Sequence, residues 1–168
     1  MCDIRYPDDA YDRIWEPVQI PDSLTVLKSD ATSFTINIAD RPPAAVLKTA
    51  ITIAPSDPTG SIALLTSLPS DPVPIYMNLY FAETAQLGPS DKRSFALVVD
   101  GEQISDAITP VYARAMEFFI TNGSYSGKTN FTLQATSDSN LPPIINAMEV
   151  FVVSDPLSNG TDATDGKL

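Results

Sequence analysis

The stretch that most constrains the fold of this chain is Val73–Glu83, with the sequence VPIYMNLYFAE. In an extended chain the apolar side chains of Ile75, Met77, Leu79 and Phe81 point to one side. The opposite side carries two tyrosines and an asparagine and is expected to be less buried. Burial of the four apolar side chains is worth about 1.5–3 kcal/mol each. The stretch therefore predicts a central strand of a β domain.

Shorter alternating segments recur along the chain, separated by turns rich in Pro, Gly, Asp and Ser. A single helical turn at Ala44–Thr49 competes with one of the predicted strands. The dipeptide Asp100-Gly101 is typical of a two-residue hairpin turn, because both of its residues need positive φ. Short strands without a long helix predict an all-β fold, an antiparallel β-sandwich. We expect further strands at Phe34–Ile38, Val46–Ile53, Ser61–Leu68, Ser94–Val99, Tyr112–Ile120, Thr129–Thr136 and Ile144–Val153.

The two ends of the chain differ from the middle in composition. Residues 1–40 carry scattered charge and three prolines, which predicts an extension anchored on the domain by Tyr11, Ile14 and Trp15. Residues 41–155 are predicted to form the sandwich. Residues 156–168 contain almost no apolar side chains, so a disordered tail is expected there.

Charge and hydropathy exclude several classes of function. The 168 residues include 21 acidic and 10 basic side chains, for a net charge of −11. Such a surface repels phosphate backbones and anionic lipids, so we expect no nucleic-acid partner and no membrane contact by this chain. The sequence shows neither a signal peptide nor an apolar window of about 18 residues that could span a membrane.

The amino-acid composition gives little support for an enzyme. Histidine is absent and Cys2 is the one cysteine, which excludes Ser-His-Asp and Cys-His nucleophiles, a disulfide framework and a cysteine-rich metal site. Glu83 and Glu149 are candidates for a glycosidase pair, which needs two carboxylates about 5–10 Å apart. The favoured alternative is that each accepts hydrogen bonds at the end or edge of a strand. We therefore predict no enzyme activity and no cofactor.

An acidic cluster near the start of the chain raises the question of a metal. Asp8, Asp9 and Asp12 supply oxygen ligands of the kind that calcium prefers, but their spacing does not match an EF-hand loop. A solvated turn before Trp15 is the favoured interpretation, so no metal site is predicted.

Tyrosines are the best candidates for ligand contact. Tyr76, Tyr80 and Tyr112 lie in or beside predicted strands, and Phe119 is expected on the face opposite Phe118. Aromatic rings can stack on the apolar faces of sugars while neighbouring polar groups bind the hydroxyls. The competing interpretation is that these rings complete the packing of the second sheet.

Three N-x-S/T triplets are candidate glycosylation sites, at Asn122, Asn130 and Asn159. Asn130 falls on the polar side of a predicted strand, where a glycan can be accommodated. Together the three triplets favour a secreted or cell-surface origin.

Five blocks of the sequence resemble, in order and spacing, the malectin-like ectodomain of plant leucine-rich-repeat receptor-like kinases. The resemblance implies a malectin-like β-sandwich of the jelly-roll type. It also implies that this chain corresponds to the second of two tandem malectin modules, together with the segment that joins it to the first. The blocks are Tyr6–Pro17, Arg41–Thr52, Ile75–Glu83, Ser94–Glu102 and Leu141–Val153.

The resemblance implies a non-enzymatic recognition module at the cell surface, as part of a membrane receptor. One hypothesis is a carbohydrate or cell-wall binding module that uses Tyr76, Tyr80 and Tyr112. The other is a protein- or peptide-interaction module that docks against a sister malectin module or a secreted peptide, with Trp15 in the contact. In either case the partners include the remainder of the receptor ectodomain.

Overall fold

The computed structural model describes residues 8–53 and 60–154. Within these ranges the regular structure is one helical turn, α1 (Ala44–Leu47), and a series of short strands. The strands are β1 (Leu24–Lys28), β2 (Thr49–Ile53), β3 (Ser61–Leu64), β4 (Val73–Phe81), β5 (Phe95–Val99), β6 (Glu102–Gln103), β7 (Met116–Ile120), β8 (Ser124–Tyr125), β9 (Phe131–Ala135), β10 (Ile144–Ile145) and β11 (Ala147–Val152).

The strands form three antiparallel sheets. The first has the order β1-β2-β10, the second has the order β11-β4-β7 with β8 paired to the start of β4, and the third has the order β3-β9-β5-β6. Side chains of β4 pack with those of β5 and β9 in one apolar core, where the rings of Phe81 and Phe95 meet edge to face at 5.3 Å between centroids. The predicted all-β antiparallel sandwich is confirmed.

Strand β4 has the predicted apolar face, and its opposite face is more buried than predicted. Ile75, Met77, Leu79 and Phe81 are fully buried in the core. On the opposite face Tyr76 is only partly buried, but Asn78 and Tyr80 are fully buried, so the expectation that this face is less buried holds at Tyr76 and was wrong at Asn78 and Tyr80. The cause is the chain before α1, which lies across this side of the second sheet.

Two differences from the predicted strands lie in residues 1–40. Leu24–Lys28 forms β1 and pairs along its length with β2, although no strand was predicted there. Conversely, Phe34–Ile38 is irregular and makes only an isolated bridge from Thr35 to Arg114. Its alternating apolar side chains pack on a second cluster that contains Leu47 and Tyr80. The alternation therefore reflects packing of these side chains on the domain, and the prediction of a strand there was wrong. The boundary at residue 40 stays a prediction, although β1 joins this part of the chain to the first sheet.

Both interpretations of Val46–Ile53 were partly right. Residues Ala44–Leu47 form the helical turn, and the strand begins at Thr49. The predicted strand at Ile144–Val153 is divided at Asn146 between β10 in the first sheet and β11 in the second. The Asn146 side chain stabilises this change of sheet, because it accepts from the N–H of Ala82 at 2.7 Å and donates to the C=O of Leu47 and of Thr49 at 3.0 and 2.9 Å.

The remaining predicted strands are present with shorter bounds, and the hairpin is confirmed. Asp100 and Gly101 have φ of 49° and 89° and connect β5 to β6. No helix in residues 8–53 and 60–154 is long and apolar enough to cross a membrane. The tail predicted at residues 156–168 lies outside the described residues.

Candidate binding surfaces

The face of the second sheet that points away from the core, called here the outer face, is covered by a polar network centred on Arg13. The guanidinium donates to the Asp9 carboxylate at 2.9 Å and to the Glu149 carboxylate at 3.1 Å. It also donates to the backbone oxygen of Asp40 at 2.7 Å, and more weakly to the hydroxyl of Tyr80 at 3.4 Å. We call these residues the Arg13 network. They fasten the chain before β1 to the outer face.

The buried carboxylate of Asp9 accepts hydrogen bonds from three neighbouring residues. Its carboxylate accepts from the Trp15 indole at 2.5 Å and from the Tyr11 N–H at 2.7 Å, as well as from Arg13. Burial by itself raises the pKa of Asp9, but these hydrogen bonds outweigh it and hold the pKa below its ordinary value. Asp9 is fully buried, so the interpretation of this cluster as a solvated turn was wrong at Asp9.

Tyr80 lies at the centre of the outer face with its hydroxyl inside the network. It donates to Glu149 at 2.5 Å and accepts from the Asn78 amide at 2.8 Å. Burial and the Glu149 carboxylate raise the pKa of Tyr80 well above its ordinary value. The ring is fully buried and Trp15 packs edge to face against it, with centroids 5.7 Å apart. In this arrangement Tyr80 presents no surface to a ligand.

Tyr76 lies nearer the margin of the outer face and is only partly buried. Its hydroxyl donates to the Asp40 carboxylate at 2.8 Å, and the Asn78 amide donates to the same carboxylate. Burial and the hydrogen bond to Asp40 raise the pKa of Tyr76 to about 12. The Tyr76 hydroxyl is therefore protonated at neutral pH. Its hydrogen bond to Asp40 holds the ring in place.

Three aromatic side chains make an exposed patch next to this network. Phe151 lies opposite Tyr76 in the β4–β11 pairing, with ring centroids 6.2 Å apart, and it is 50% exposed. Phe119, which is 52% exposed, lies opposite Asn78 on the other side of β4. We call Tyr76, Phe119 and Phe151 the aromatic patch. Phe119 thus has the orientation expected from the sequence.

Tyr112 lies apart from the other two candidate tyrosines. Its hydroxyl donates to Asp30 at 2.7 Å, and this hydrogen bond raises the pKa of the tyrosine. The hydroxyls of Tyr76 and Tyr80 are linked through Asp40 and Asn78, whereas Tyr112 belongs to the loops around the bridge between Glu83 and Tyr112. The three tyrosines therefore do not converge on one site.

A separate feature is an apolar groove of about 360 Å³ between the chain at residues 15–21 and the first sheet. Of its lining residues, only Glu16, Gln19, Thr49 and Asn146 are polar. Three apolar lining residues remain largely open to solvent: Val18, Val26 and Leu65 are 64%, 44% and 72% exposed. We call this feature the apolar groove. Nothing in the spacing of these residues marked it in advance, because its walls come from distant segments.

Trp15 belongs to both features. One side of its indole lines the groove, while its N–H donates to Asp9 and Arg13 stacks over the ring at 4.9 Å from the centroid. The network thus fixes the position of a large aromatic wall of the groove. This placement is consistent with the predicted role of Trp15 in a contact, which stays a prediction.

The two glutamates considered as a catalytic pair have different partners. Glu83 is buried and its carboxylate accepts from Arg93 at 2.6 Å and from the Thr84 N–H at 3.0 Å. Glu149 belongs to the Arg13 network. Each glutamate therefore has a structural partner of its own, as the alternative interpretation of strand-bound carboxylates expects. In the described part of the chain no group of three or more acidic, histidine or cysteine side chains is placed to hold a metal ion.

Asn122 and Asn130, two of the three candidate glycosylation sites, are exposed. Asn130 lies just before β9, and its N–H donates to the Asp100 carboxylate at 2.8 Å. The third site, Asn159, lies outside the described residues. Glycosylation itself stays a prediction.

Comparison with known proteins gives a family match over most of the chain. The model of the malectin-like domain matches residues 1–153. A probable LRR receptor-like serine/threonine-protein kinase of Arabidopsis thaliana is 35% identical over 167 residues, which cover 96% of this chain and 18% of the kinase. A putative leucine-rich repeat receptor-like protein kinase of the same plant is 32% identical over 164 residues, which cover 96% of this chain and 18% of that protein. The chain thus spans less than a fifth of the length of these two relatives.

Solved structures show the same fold at low sequence identity. A chain from the crystal structure of the plant peptide RALF23 in complex with FER and LLG2 aligns with a TM-score of 0.70 and 14% identity, covering 89% of this chain and 46% of that one. The extracellular domain of ANXUR1 from Arabidopsis thaliana aligns with a TM-score of 0.64 and 18% identity, covering 91% and 46%. In both cases this chain matches about half of the solved one.

Proposed function

The chain belongs to the malectin-like domain family, and we propose that it is a non-catalytic recognition module of an extracellular receptor ectodomain whose ligand is a peptide segment held in the apolar groove. The receptor context is supported by the leucine-rich-repeat receptor kinases among its relatives. A peptide ligand is supported by the solved relative that contains FER together with the peptide RALF23.

The observation that carries the proposal is the exposure of Val18, Val26 and Leu65 around one concave apolar surface. Soluble proteins rarely leave contiguous apolar surface open, and where they do it commonly marks an interaction site. The volume of about 360 Å³ lies within the range of small-ligand pockets and accommodates a few apolar side chains. The net charge of −11 favours a ligand that also carries basic residues.

The test is a selection of binders from a display library of peptides of about ten residues, followed by affinity measurement against variants of the full chain. Leu65→Asp places a charge at the mouth of the groove and is expected to weaken the selected peptides by about tenfold or more. Val111→Asp is the matched control, because Val111 is also an exposed aliphatic residue but does not line the groove. Equal affinity of both variants would place the peptide site elsewhere.

A second candidate ligand is a carbohydrate bound on the aromatic patch. The supporting observation is that the half-exposed ring of Phe151 lies beside Tyr76, whose hydroxyl donates to Asp40. The half-exposed ring of Phe119 lies opposite Asn78 in the pairing of β4 with β7. Rings and a neighbouring carboxylate can together bind the apolar face and the hydroxyls of a sugar. Binding of plant cell-wall oligosaccharides on a glycan array, abolished by Phe119→Ala and retained by Leu65→Asp, would support this candidate over the groove. Binding unaffected by Phe119→Ala would eliminate it.

The proposed glycosylation at Asn122 and Asn130 has its own test. Expression with a secretion signal in plant cells is expected to yield a chain that loses apparent mass on treatment with a glycosidase specific for N-linked glycans. Asn122→Gln and Asn130→Gln should each remove one step of that shift. A chain whose mobility does not change on treatment would contradict glycosylation at these sites, and it would leave peptide binding unaffected.

A further inference from the structure

The free edge of β1 borders the apolar groove. Strand β1 pairs with β2 in the register Val26 to Ile51, and among the described residues it has no partner strand on its other side. The Ser29 N–H donates to the C=O of Lys48 at 2.8 Å, one position beyond the strand. Antiparallel pairs alternate between hydrogen-bonded and non-hydrogen-bonded positions. Leu27 and Thr25 therefore bond to β2, while the N–H and C=O groups of Val26 and Lys28 point away from it.

These outward backbone groups have no partner among residues 8–53 and 60–154. Apart from the ladder to β2, the backbone hydrogen bonds around β1 are those of Leu24 with Pro21 and of Ser29 with Lys48. Proteins commonly protect such edges with charged residues, prolines or bulges, and here Lys28 protects only the end of the strand. At Val26 no group of the described residues covers the edge.

The side chains of β1 connect the open edge to the groove. Leu24 and Val26 share one face of the first sheet with Ile51 and Ile145, and all four line the groove. In an added strand every second side chain would lie on that same face. The groove would therefore receive alternate side chains of a chain that pairs with β1.

We propose that a peptide ligand binds by adding one strand to the free edge of β1. Its backbone pairs with Val26 and Lys28, and its alternate apolar side chains enter the groove. Main-chain hydrogen bonds then supply affinity and the groove supplies specificity. The ligand is an extended segment with apolar residues at alternate positions and basic residues between them, because the chain it meets has a net charge of −11. This inference rests on the proposed peptide function and specifies how that function is carried out.

The first experiment follows amide hydrogen exchange in the ¹⁵N-labelled full chain, with a peptide selected from a display library that alternates apolar with Lys, Arg or Ser positions. Strand addition is expected to slow exchange at Val26 and Lys28 by about tenfold or more, because their N–H groups gain acceptors. Leu27 is the internal control, since its N–H already bonds to β2 and should change far less. Slower exchange of groove residues without a change at Val26 and Lys28 would overturn strand addition and leave the peptide function intact.

The second experiment removes single backbone donors. Val26→Pro deletes an outward N–H and leaves the ladder to β2 intact, and edge positions are where strands accept proline. It is expected to weaken the selected peptide by about tenfold. The control Val26→Thr keeps both the donor and the β-branched shape and should retain most of the affinity. If Val26→Pro lowers the melting temperature, the pairing is tested from the ligand instead, because N-methylation of alternate peptide residues removes the peptide N–H groups that donate to the C=O groups of β1.

Failure of strand addition and failure of peptide binding give different results in these experiments. N-methylation is expected to abolish binding in one register of alternate residues and to spare it in the other. Equal effects of the two registers, or none, would overturn strand addition. A library that yields no binder overturns both the peptide function and its mode. Concentration-dependent dimerisation of the full chain, abolished by Val26→Pro, would replace the peptide with a second copy of this chain at the same edge.

Discussion

The two faces of β4 are both buried along most of their length, but by opposite chemistry. On the inner face four apolar side chains enter a core shared by the two facing sheets. On the outer face Tyr80 is covered by Arg13 and Trp15, which lie 65 or more residues earlier in the chain. Asn78 beside it donates to Tyr80 and to Asp40. The inner face depends on shape and on exclusion of water, whereas the outer face depends on the pairing of charges and hydrogen bonds. This contrast leads us to expect that the two faces respond differently to substitution, salt and pH.

The largest expected effect comes from the inner face. Leu79→Ala should lower the free energy of unfolding by about 3–5 kcal/mol, because it leaves a cavity among side chains that cannot close it. The loss should change little with salt or between pH 5 and 8. Urea denaturation of the variant and of Leu65→Ala, a leucine that is largely exposed, provides the measurement and its control. A loss of the same size at both positions would contradict the assignment of Leu79 to the core.

Arg13→Ala tests the outer face and should cost about 3 kcal/mol, since it leaves the buried carboxylate of Asp9 and that of Glu149 without their cation. Arg13→Lys keeps the charge but not the fork of donors, so it should recover only part of the loss. Trp15 fluorescence should shift to the red in the alanine variant as the indole loses its cover. A stable variant with unchanged fluorescence would show that the network is dispensable.

Acid should weaken the outer face before the inner one. The pKa of Asp9 is lowered in the folded chain, so its contribution to stability is present above the unfolded value of about 3.9 and is lost as the pH falls through the folded value. Asp9→Asn should therefore be less stable than the unaltered chain near pH 6, and the difference should shrink below about pH 4. Thermal melts from pH 7 to pH 2.5 measure it. Asp138→Asn is the control, because Asp138 and its partner Lys92 are both exposed, and its effect should be much smaller.

The smallest effect on stability is expected at the aromatic patch. Phe119→Ser removes an exposed ring and should change the free energy of unfolding by no more than about 0.5 kcal/mol. A larger loss in a thermal melt would mean that the ring packs against another part of the molecule. With stability unchanged, the same variant is a clean probe for the carbohydrate candidate.

The sequence predicts the inner face well and the outer face poorly, for a physical reason. A row of apolar side chains at every second position has one stable placement, so Ile75 to Phe81 could be assigned to a core without knowledge of their partners. Polar side chains such as Asn78 and Tyr80 are compatible with solvent or with burial. Which of these applies depends on Arg13, whose approach to the sheet leaves no local pattern. The same limit explains why β1 and the groove were missed, since Leu24 and Val26 acquire their roles from neighbours distant in sequence.

The two strands on either side of Asn146 complete two sheets and are among the last to be synthesised, which delays folding of the domain. Residues 144–152 complete two sheets at once, because β10 pairs with β2 and β11 pairs with β4. A ribosome that has released β4 must make about seventy further residues before its second neighbour emerges. Until then one edge of β4, the longest strand of the described residues, is open to other chains. We therefore expect the domain to fold late and as a unit, and to need protection from aggregation while its C-terminal strands are being made.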